Sequence, residues 1–263
     1  NTSFFNGNAD DDVITLTNVS SSTIQGGAGN DTTTVALLNT GLYNGNKGND
    51  TFSTNGNVAA ASVFGGQGTD QFSINGGLST ATVQGNIAND TVNIGAGAVN
   101  ASTINGNAGD DTLTVTGVLT DFTASTIFGG AGNDTISAVA STSTTVGVTL
   151  SGDAGNDNLI GSSANDTILT GIGTDAVRGN AGNDSITAST GVDTINYSTA
   201  GVTMVDTVTG FTAGTDIFGA SNAAFTVGAG ETAVSISDAD GISLGITAAG
   251  GLTITSSAVN VAT

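Results

Sequence analysis

The 263-residue chain has no cysteine, proline, histidine or tryptophan, and only two positive side chains, Lys47 and Arg178. Without cysteine there are no disulfides and no thiolate chemistry, so redox compartment cannot be read from the pattern. Without histidine, and with one Lys, one Arg and two Tyr, general acid–base catalysis has little to work with. Paired acids of the glycosidase kind remain a formal alternative. A formal charge of −20 with so few cations excludes nucleic acid and anionic membrane as partners, because both are held by basic surface. No apolar run approaches transmembrane length, so no membrane insertion is expected. The chain opens at Asn1 without an initiator Met or a signal-peptide pattern, which reads as a mature or excised product.

What is present is equally biased. There are 41 glycines, and of the 22 acidic residues only Glu231 is not Asp. Strongly acidic chains are often disordered, but this one is 37% hydrophobic and can bury a core if a cation neutralises its aspartates. Abundant Thr, Val, Ile and Gly point to strands and turns rather than helices.

A turn string recurs along the chain. It reads GGAGND (Gly26 to Asp31), GNKGND (Gly45 to Asp50), GGQGTD (Gly65 to Asp70), GNIAND (Gly85 to Asp90), GNAGDD (Gly106 to Asp111), GGAGND (Gly129 to Asp134) and GDAGND (Gly152 to Asp157). GNADDD, ending at Asp12, is a degenerate first copy. Successive terminal aspartates from Asp12 to Asp157 are separated by 19, 19, 20, 20, 21, 23 and 23 residues. Asp166, Asp175, Asp184 and Asp193 then follow at steps of nine. Nine residues suit one short strand and one tight turn, and two such units make a coil with a turn at each edge. The longer period is then the same coil with one acidic turn. Its other turn is replaced by Asp-poor segments such as Asn18 to Ser22 and Gly95 to Ala101.

Apolar residues keep fixed offsets from each motif Asp. Phe5, Ile24, Tyr43, Val63, Val83, Ile104, Ile127 and Leu150 lie seven before it, and Ile14, Thr33, Phe52, Phe72, Val92, Leu113, Ile136 and Leu159 two after. With period-two alternation both columns face inward and stack into ladders, broken only at Thr33. An unstructured Gly/Asn/Thr tract would not hold such offsets. Asn6, Gln25, Asn44, Gln84 and Asn105 are expected to face outward and to hydrogen-bond up the stack, with Phe64 and Phe128 interrupting their column. The reading is an all-β protein, a parallel β-roll or β-helix solenoid with a C-terminal β cap. Residues 1–157 are expected to carry one acidic edge, 158–196 two, and 197–263 to form the capping segment.

The string matches the nonapeptide GGxGxDxUx, so the chain resembles the repeat-in-toxin (RTX) family over roughly residues 6 to 196, most like secreted bacterial surface-layer or matrix proteins. The resemblance implies calcium-binding turns. The ligands it implies are the carboxylates of Asp12, Asp31, Asp50, Asp70, Asp90, Asp111, Asp134, Asp157, Asp166, Asp175, Asp184 and Asp193. It adds the backbone of Gly26, Gly27, Gly29, Gly45, Gly48, Gly65, Gly68, Gly85, Gly106, Gly109, Gly129, Gly132, Gly152, Gly155, Gly173, Gly179 and Gly182. Calcium takes six to eight hard oxygens in flexible geometry, which carboxylates and turn carbonyls supply. Departures fall at Asp12, Asp90, Asp166 and Asp193, where motif glycines are missing. Asp206 to Phe218 looks like the segment that follows RTX arrays, which makes Asp206 and Asp216 further ligand candidates.

Period and stacking place Asp12 through Asp157, then Asp175 and Asp193, on one edge, and Asp166 and Asp184 on the other. Counting gaps between stacked acids gives on the order of ten calcium ions. Before binding, such a chain should repel itself and stay loose, so binding energy becomes folding energy. That suits a secreted, extracellular or cell-surface protein. Val234, Ile236, Ile242, Leu244, Ile246, Leu252 and Ile254 are expected in closing strands. The exposed first coil invites head-to-tail self-assembly. A non-enzymatic structural role is favoured over an adhesin, glycan-binding or ice-binding module, or a non-catalytic part of a larger secreted RTX protein. For ice, the turn column Ala28, Lys47, Gln67, Ile87, Ala108, Ala131 and Ala154 lacks the Thr that contact would favour.

Overall fold

The computed structural model describes residues 3–95, 97–117, 119–139 and 145–197, and the short segments 206–210, 216–220, 235–237, 244–247, 251–254 and 260–262. Among them are strands and turns and no helix. Two long parallel sheets, of 14 and 16 strands, share each coil. The first sheet stacks Phe4–Ala9, Thr23–Ala28, Leu42–Lys47, Ser62–Gln67, Thr82–Ile87, Thr103–Ala108, Thr126–Ala131 and Thr149–Ala154 in chain order. The second stacks Val13–Ser20, Thr32–Asn39, Thr51–Thr54, Gln71–Ile74, Thr91–Ile94, Thr112–Val115 and Thr135–Ser137 in the same way. This is the parallel β-solenoid expected from the repeat.

Both inward ladders form in the expected register. Phe5 pairs with Ile24, Ile24 with Tyr43, Tyr43 with Val63, and so on to Leu150. Ile14, Thr33, Phe52, Phe72, Val92, Leu113, Ile136 and Leu159 pair likewise. Like residues one coil apart bury each other, so a core one or two side chains thick suffices for the whole stack. Thr33 breaks its ladder beside the one polar member of the other. Its hydroxyl is the group that opposes the upward push of burial on the Tyr43 hydroxyl, and Tyr43 stacks on Phe52 at 4.6 Å.

The edge away from the acids differs from the expectation. Asn18 to Ser22 and Gly95 to Ala101 are not simple turns. They carry extra strand pairing, in which Val19, Leu38, Val58, Leu78 and Val99 make a third buried column. The chain then turns through one left-handed residue per coil, namely Ser21, Thr40, Ala60, Thr80 and Ala101, with φ between 46° and 51°. Each costs on the order of 1 kcal/mol as a non-glycine. The added strand explains why these coils are longer than eighteen residues.

The outward column also differs. Asn6, Asn44 and Asn105 do not bond up the stack; their side-chain oxygens accept from the backbone N–H two residues on, at 2.9, 3.1 and 2.8 Å. Those N–H groups belong to Asn8, Asn46 and Asn107, which have positive φ and so present the amide within reach of the preceding side chain.

After Tyr197 the described strands continue both ladders. Ser235–Ser237 pairs with Thr207–Thr209, and Asn260–Ala262 with Ile217–Ala220, both parallel. Leu244–Thr247 and Gly251–Ile254 form an antiparallel hairpin. Val234 and Ile242 lie outside the described residues. Phe72 is 1% exposed in the middle of its ladder. Phe72→Ala should therefore cost about 3–5 kcal/mol in calcium-saturated protein, measured by urea unfolding.

Candidate metal centre

Each acidic turn uses its first and fourth residues for different reasons. A β-carbon on Gly26 would overlap the Asp31 Oδ2 and stand 2.8 Å from the Gly45 carbonyl oxygen of the next coil. The same clash recurs at Gly45, Gly65, Gly106 and Gly129 with their own aspartates. At the fourth position the need is conformational: Gly48, for example, has φ +115° and lies against the Gly29 carbonyl.

The aspartates form two hydrogen-bonded ladders. On the first edge the Asp12 N–H donates to Asp31 Oδ1 (2.8 Å), Asp31 to Asp50 (2.8 Å), Asp50 to Asp70 (2.7 Å) and Asp70 to Asp90 (2.7 Å). It continues through Asp111, Asp134, Asp157, Asp175 and Asp193 to Asp216. On the second edge Val148 donates to Asp166, Asp166 to Asp184 and Asp184 to Asp206. The structure thus divides these aspartates between the two edges as period and stacking suggested, and Asp206 and Asp216 extend one ladder each.

A companion ladder was not anticipated, although the recurring residue before each Asp carried the signal. The Asn30 N–H donates to Asp11 Oδ1 at 2.6 Å, Asn49 to Asn30 and Thr69 to Asn49. Asp110, Asn133, Asn156 and Thr174 continue it from Asn89. Thr69 has no side-chain carbonyl to offer the following coil, and the chain of bonds restarts at Asn89. Neighbouring amides therefore point opposite ways, that of Asn30 to the coil before and that of Asp31 to the coil after.

From Asp31 onward each motif Asp uses its N–H and Oδ1, and in most of them the second oxygen is left over. Asp12, Asp31, Asp50, Asp70, Asp90, Asp111, Asp134, Asp157, Asp175 and Asp184 each keep a buried Oδ2 without a hydrogen-bond partner. Asp166 and Asp193 do not. Asp166 is capped by the Ser162 N–H (2.6 Å) and hydroxyl (2.8 Å), and Asp193 Oδ2 by Thr170 and Ser189. Asp12, expected to be irregular, joins the ladder and is half-buried. Asp90 keeps the ladder despite Ala88, which takes φ 82° where other copies have glycine.

An orphaned buried acceptor costs about 1–3 kcal/mol, so a column of them calls for a cation or protons. The donors fit calcium: hard carboxylate oxygens with a glycine carbonyl of the next coil beside them, and no nitrogen or sulfur ligand. Among the described residues no three acidic side chains gather at one point. A site must therefore combine carboxylates from adjacent coils with turn carbonyls.

Electrostatics give the same result. Burial is the largest influence on the carboxyls of Asp31, Asp50, Asp70, Asp90, Asp111, Asp134, Asp157, Asp166, Asp175, Asp184 and Asp193 and raises their pKa; the bond from the neighbouring N–H lowers it, and at all but Asp166 nearby carboxylates raise it again. Asp50, Asp134 and Asp175 are pushed up to about 6, Asp70, Asp111, Asp157 and Asp184 to about 7, and Asp90 to about 8.

The fold and its turns define a class: a parallel β-solenoid whose edges are spines of stacked aspartates. A family model of the RTX calcium-binding nonapeptide repeat, four copies long, matches residues 20–33, 101–115, 124–138, 149–177 and 169–198. Over those residues the chain is similar to RTX calcium-binding repeats, here laid on a parallel β-roll. It is similar in fold to a solved hyperactive, Ca2+-dependent, β-helical antifreeze protein from an Antarctic bacterium. The TM-score is 0.61 at 20% identity, covering 84% of this chain and 78% of that one. No curated protein matches the chain.

Two outcomes follow. In chelator, the folded carboxyls hold protons to a higher pH than their unfolded counterparts near 4, so protonation stabilises the roll. That stabilisation is present below about pH 4 and is lost as pH rises to about 6–8. Thermal melting followed by circular dichroism should fall across this range without calcium and flatten with it. Asp111→Asn should weaken calcium-dependent stabilisation more than Asp166→Asn, because only Asp111 leaves an oxygen unsatisfied. Calcium titration of the two variants checks the order.

Proposed function

We propose that this protein is an extracellular, non-enzymatic calcium-binding β-roll that serves as a structural component of a bacterial surface layer, matrix or filament. The observation that carries this is the column of buried Oδ2 atoms on stacked aspartates. On this reading the motif aspartates and turn glycines hold on the order of ten calcium ions, with Asp166 and Asp193 the weakest members. A chain of charge −20 leaves a calcium-poor cytosol loose and sets on meeting extracellular calcium. The motif aspartates are engaged in the ladders, which supports a structural rather than a hydrolytic role for them.

Self-association belongs to the same reading. In the first coil Phe5, Ile14 and Leu16 are only partly buried, whereas their equivalents in later coils are enclosed. Strand content should appear cooperatively at roughly 0.1–1 mM calcium, followed by circular dichroism, and the same samples should grow in sedimentation. A chelated protein that keeps its strands and its melting temperature would defeat the proposal.

A second reading, ice binding, is favoured by one surface. The turn column from Ala28 to Ala154 runs in register and lacks threonine. The outer face of the second sheet instead carries Thr32, Thr51, Thr91, Thr112 and Thr135 in one column, interrupted at Gln71, and Thr34, Ser53, Ser73, Thr114 and Ser137 two residues on, interrupted at Asn93. Within each uninterrupted run these hydroxyls repeat at about 4.8 Å between coils and about 6.6 Å along each strand, a short regular lattice for ordered water. Thermal hysteresis in calcium that is abolished by Thr91→Tyr would support it, and no hysteresis would remove it.

A further inference from the structure

The outer face of the first sheet holds an open depression of about 650 Å³ whose chemistry the calcium reading does not use. Its shape follows from register. Phe64 stands between Asn44 and Gln84, and Gly66 stands between Asn46 and Asn86. Because Gly66 has no side chain where its neighbours carry amides, the surface dips there, with the half-buried Phe64 ring along one side and Gln67 and Ile87 along the other.

We infer that this depression binds a segment of a neutral polysaccharide, with sugar rings against Phe64 and hydroxyls on the surrounding amides. Three observations carry it. Among the described residues the side-chain amides of Gln67, Gln84 and Asn86 make no hydrogen bond, whereas Asn44 and Asn46 are tied to each other. Planar amides beside an aromatic face supply donors, acceptors and an apolar platform together, the mixture that hydroxyl-bearing rings require. The lining holds no carboxylate and a single ammonium, Lys47, although the chain carries −20.

The ligand is a chain rather than a single sugar. Phe128 occupies the same column as Phe64 three coils on, with Gly130 two residues after it as Gly66 follows Phe64. At about 4.8 Å per coil the two rings lie in line roughly 14 Å apart along the roll. The inference rests on the extracellular reading only for where such a polymer is met.

Calcium-saturated protein should be retarded in native gels containing hydroxyethylcellulose or laminarin, and should migrate unhindered in carboxymethylcellulose. Phe64→Ala should weaken retardation about ten-fold, and Gln84→Ala less. Circular dichroism in calcium verifies that both variants keep the roll. Absence of retardation in both neutral polymers, retardation in the anionic polymer alone, or retardation unchanged by both substitutions overturns the inference. Each of these can occur with calcium-dependent folding intact, which separates its failure from failure of the structural reading.

Discussion

Stacking one aspartate per coil at a fixed edge sets like charges about 4.8 Å apart, and each neighbouring pair repels by about 3 kcal/mol at an effective dielectric near 20. A run from Asp12 to Asp216 repeats that penalty at each step. The hydrogen bond from each backbone N–H to the next carboxylate offsets part of it, and the rest falls to whatever occupies the space beside Oδ2. Protons do so when scarce calcium leaves the acids bare, and calcium when it is plentiful. On the proposed reading the same spine would oppose folding in one medium and favour it in another.

Everything else in the roll accommodates this spine. From Gly7 to Gly152 the glycine five residues before each Asp is small because the carboxylate folds back over it, and the apolar ladders run on either side at fixed offsets. The opposite edge is free of this demand through most of the molecule. There a third apolar column and a single left-handed residue close the coil without an acidic ladder. The acidic edge switches to both sides only where the coil contracts to eighteen residues, after Asp157.

Much of this was legible in the sequence because the roll is nearly one-dimensional: a residue's neighbours are its equivalents one repeat away. The offsets of Ile24 and Phe52 from their aspartates gave the core, and the change of period gave the switch of edges. The rest depended on geometry that spacing does not encode. The column through Leu38 and Val58 was missed because strands such as Val58–Ala59 and Leu78–Ser79 carry too short an alternation to see. The outer asparagines were assigned to stack bonds because nothing in the sequence announces the positive φ at Asn8, Asn46 and Asn107. That Ser162 caps Asp166 while Asp111 stays uncapped could not be read from either motif alone.

The uneven coil lengths have a genetic meaning. Coils of 18 to 23 residues all present the same acidic edge, because surplus length is taken up on the far side. Gain or loss of an entire coil leaves every remaining carboxylate beside a donor, whereas a single residue inserted between Gly26 and Asp31 would misalign one rung. Such a gene can lengthen or shorten by unequal recombination at little structural risk, so lineages are free to vary the reach of the protein while its turns stay fixed.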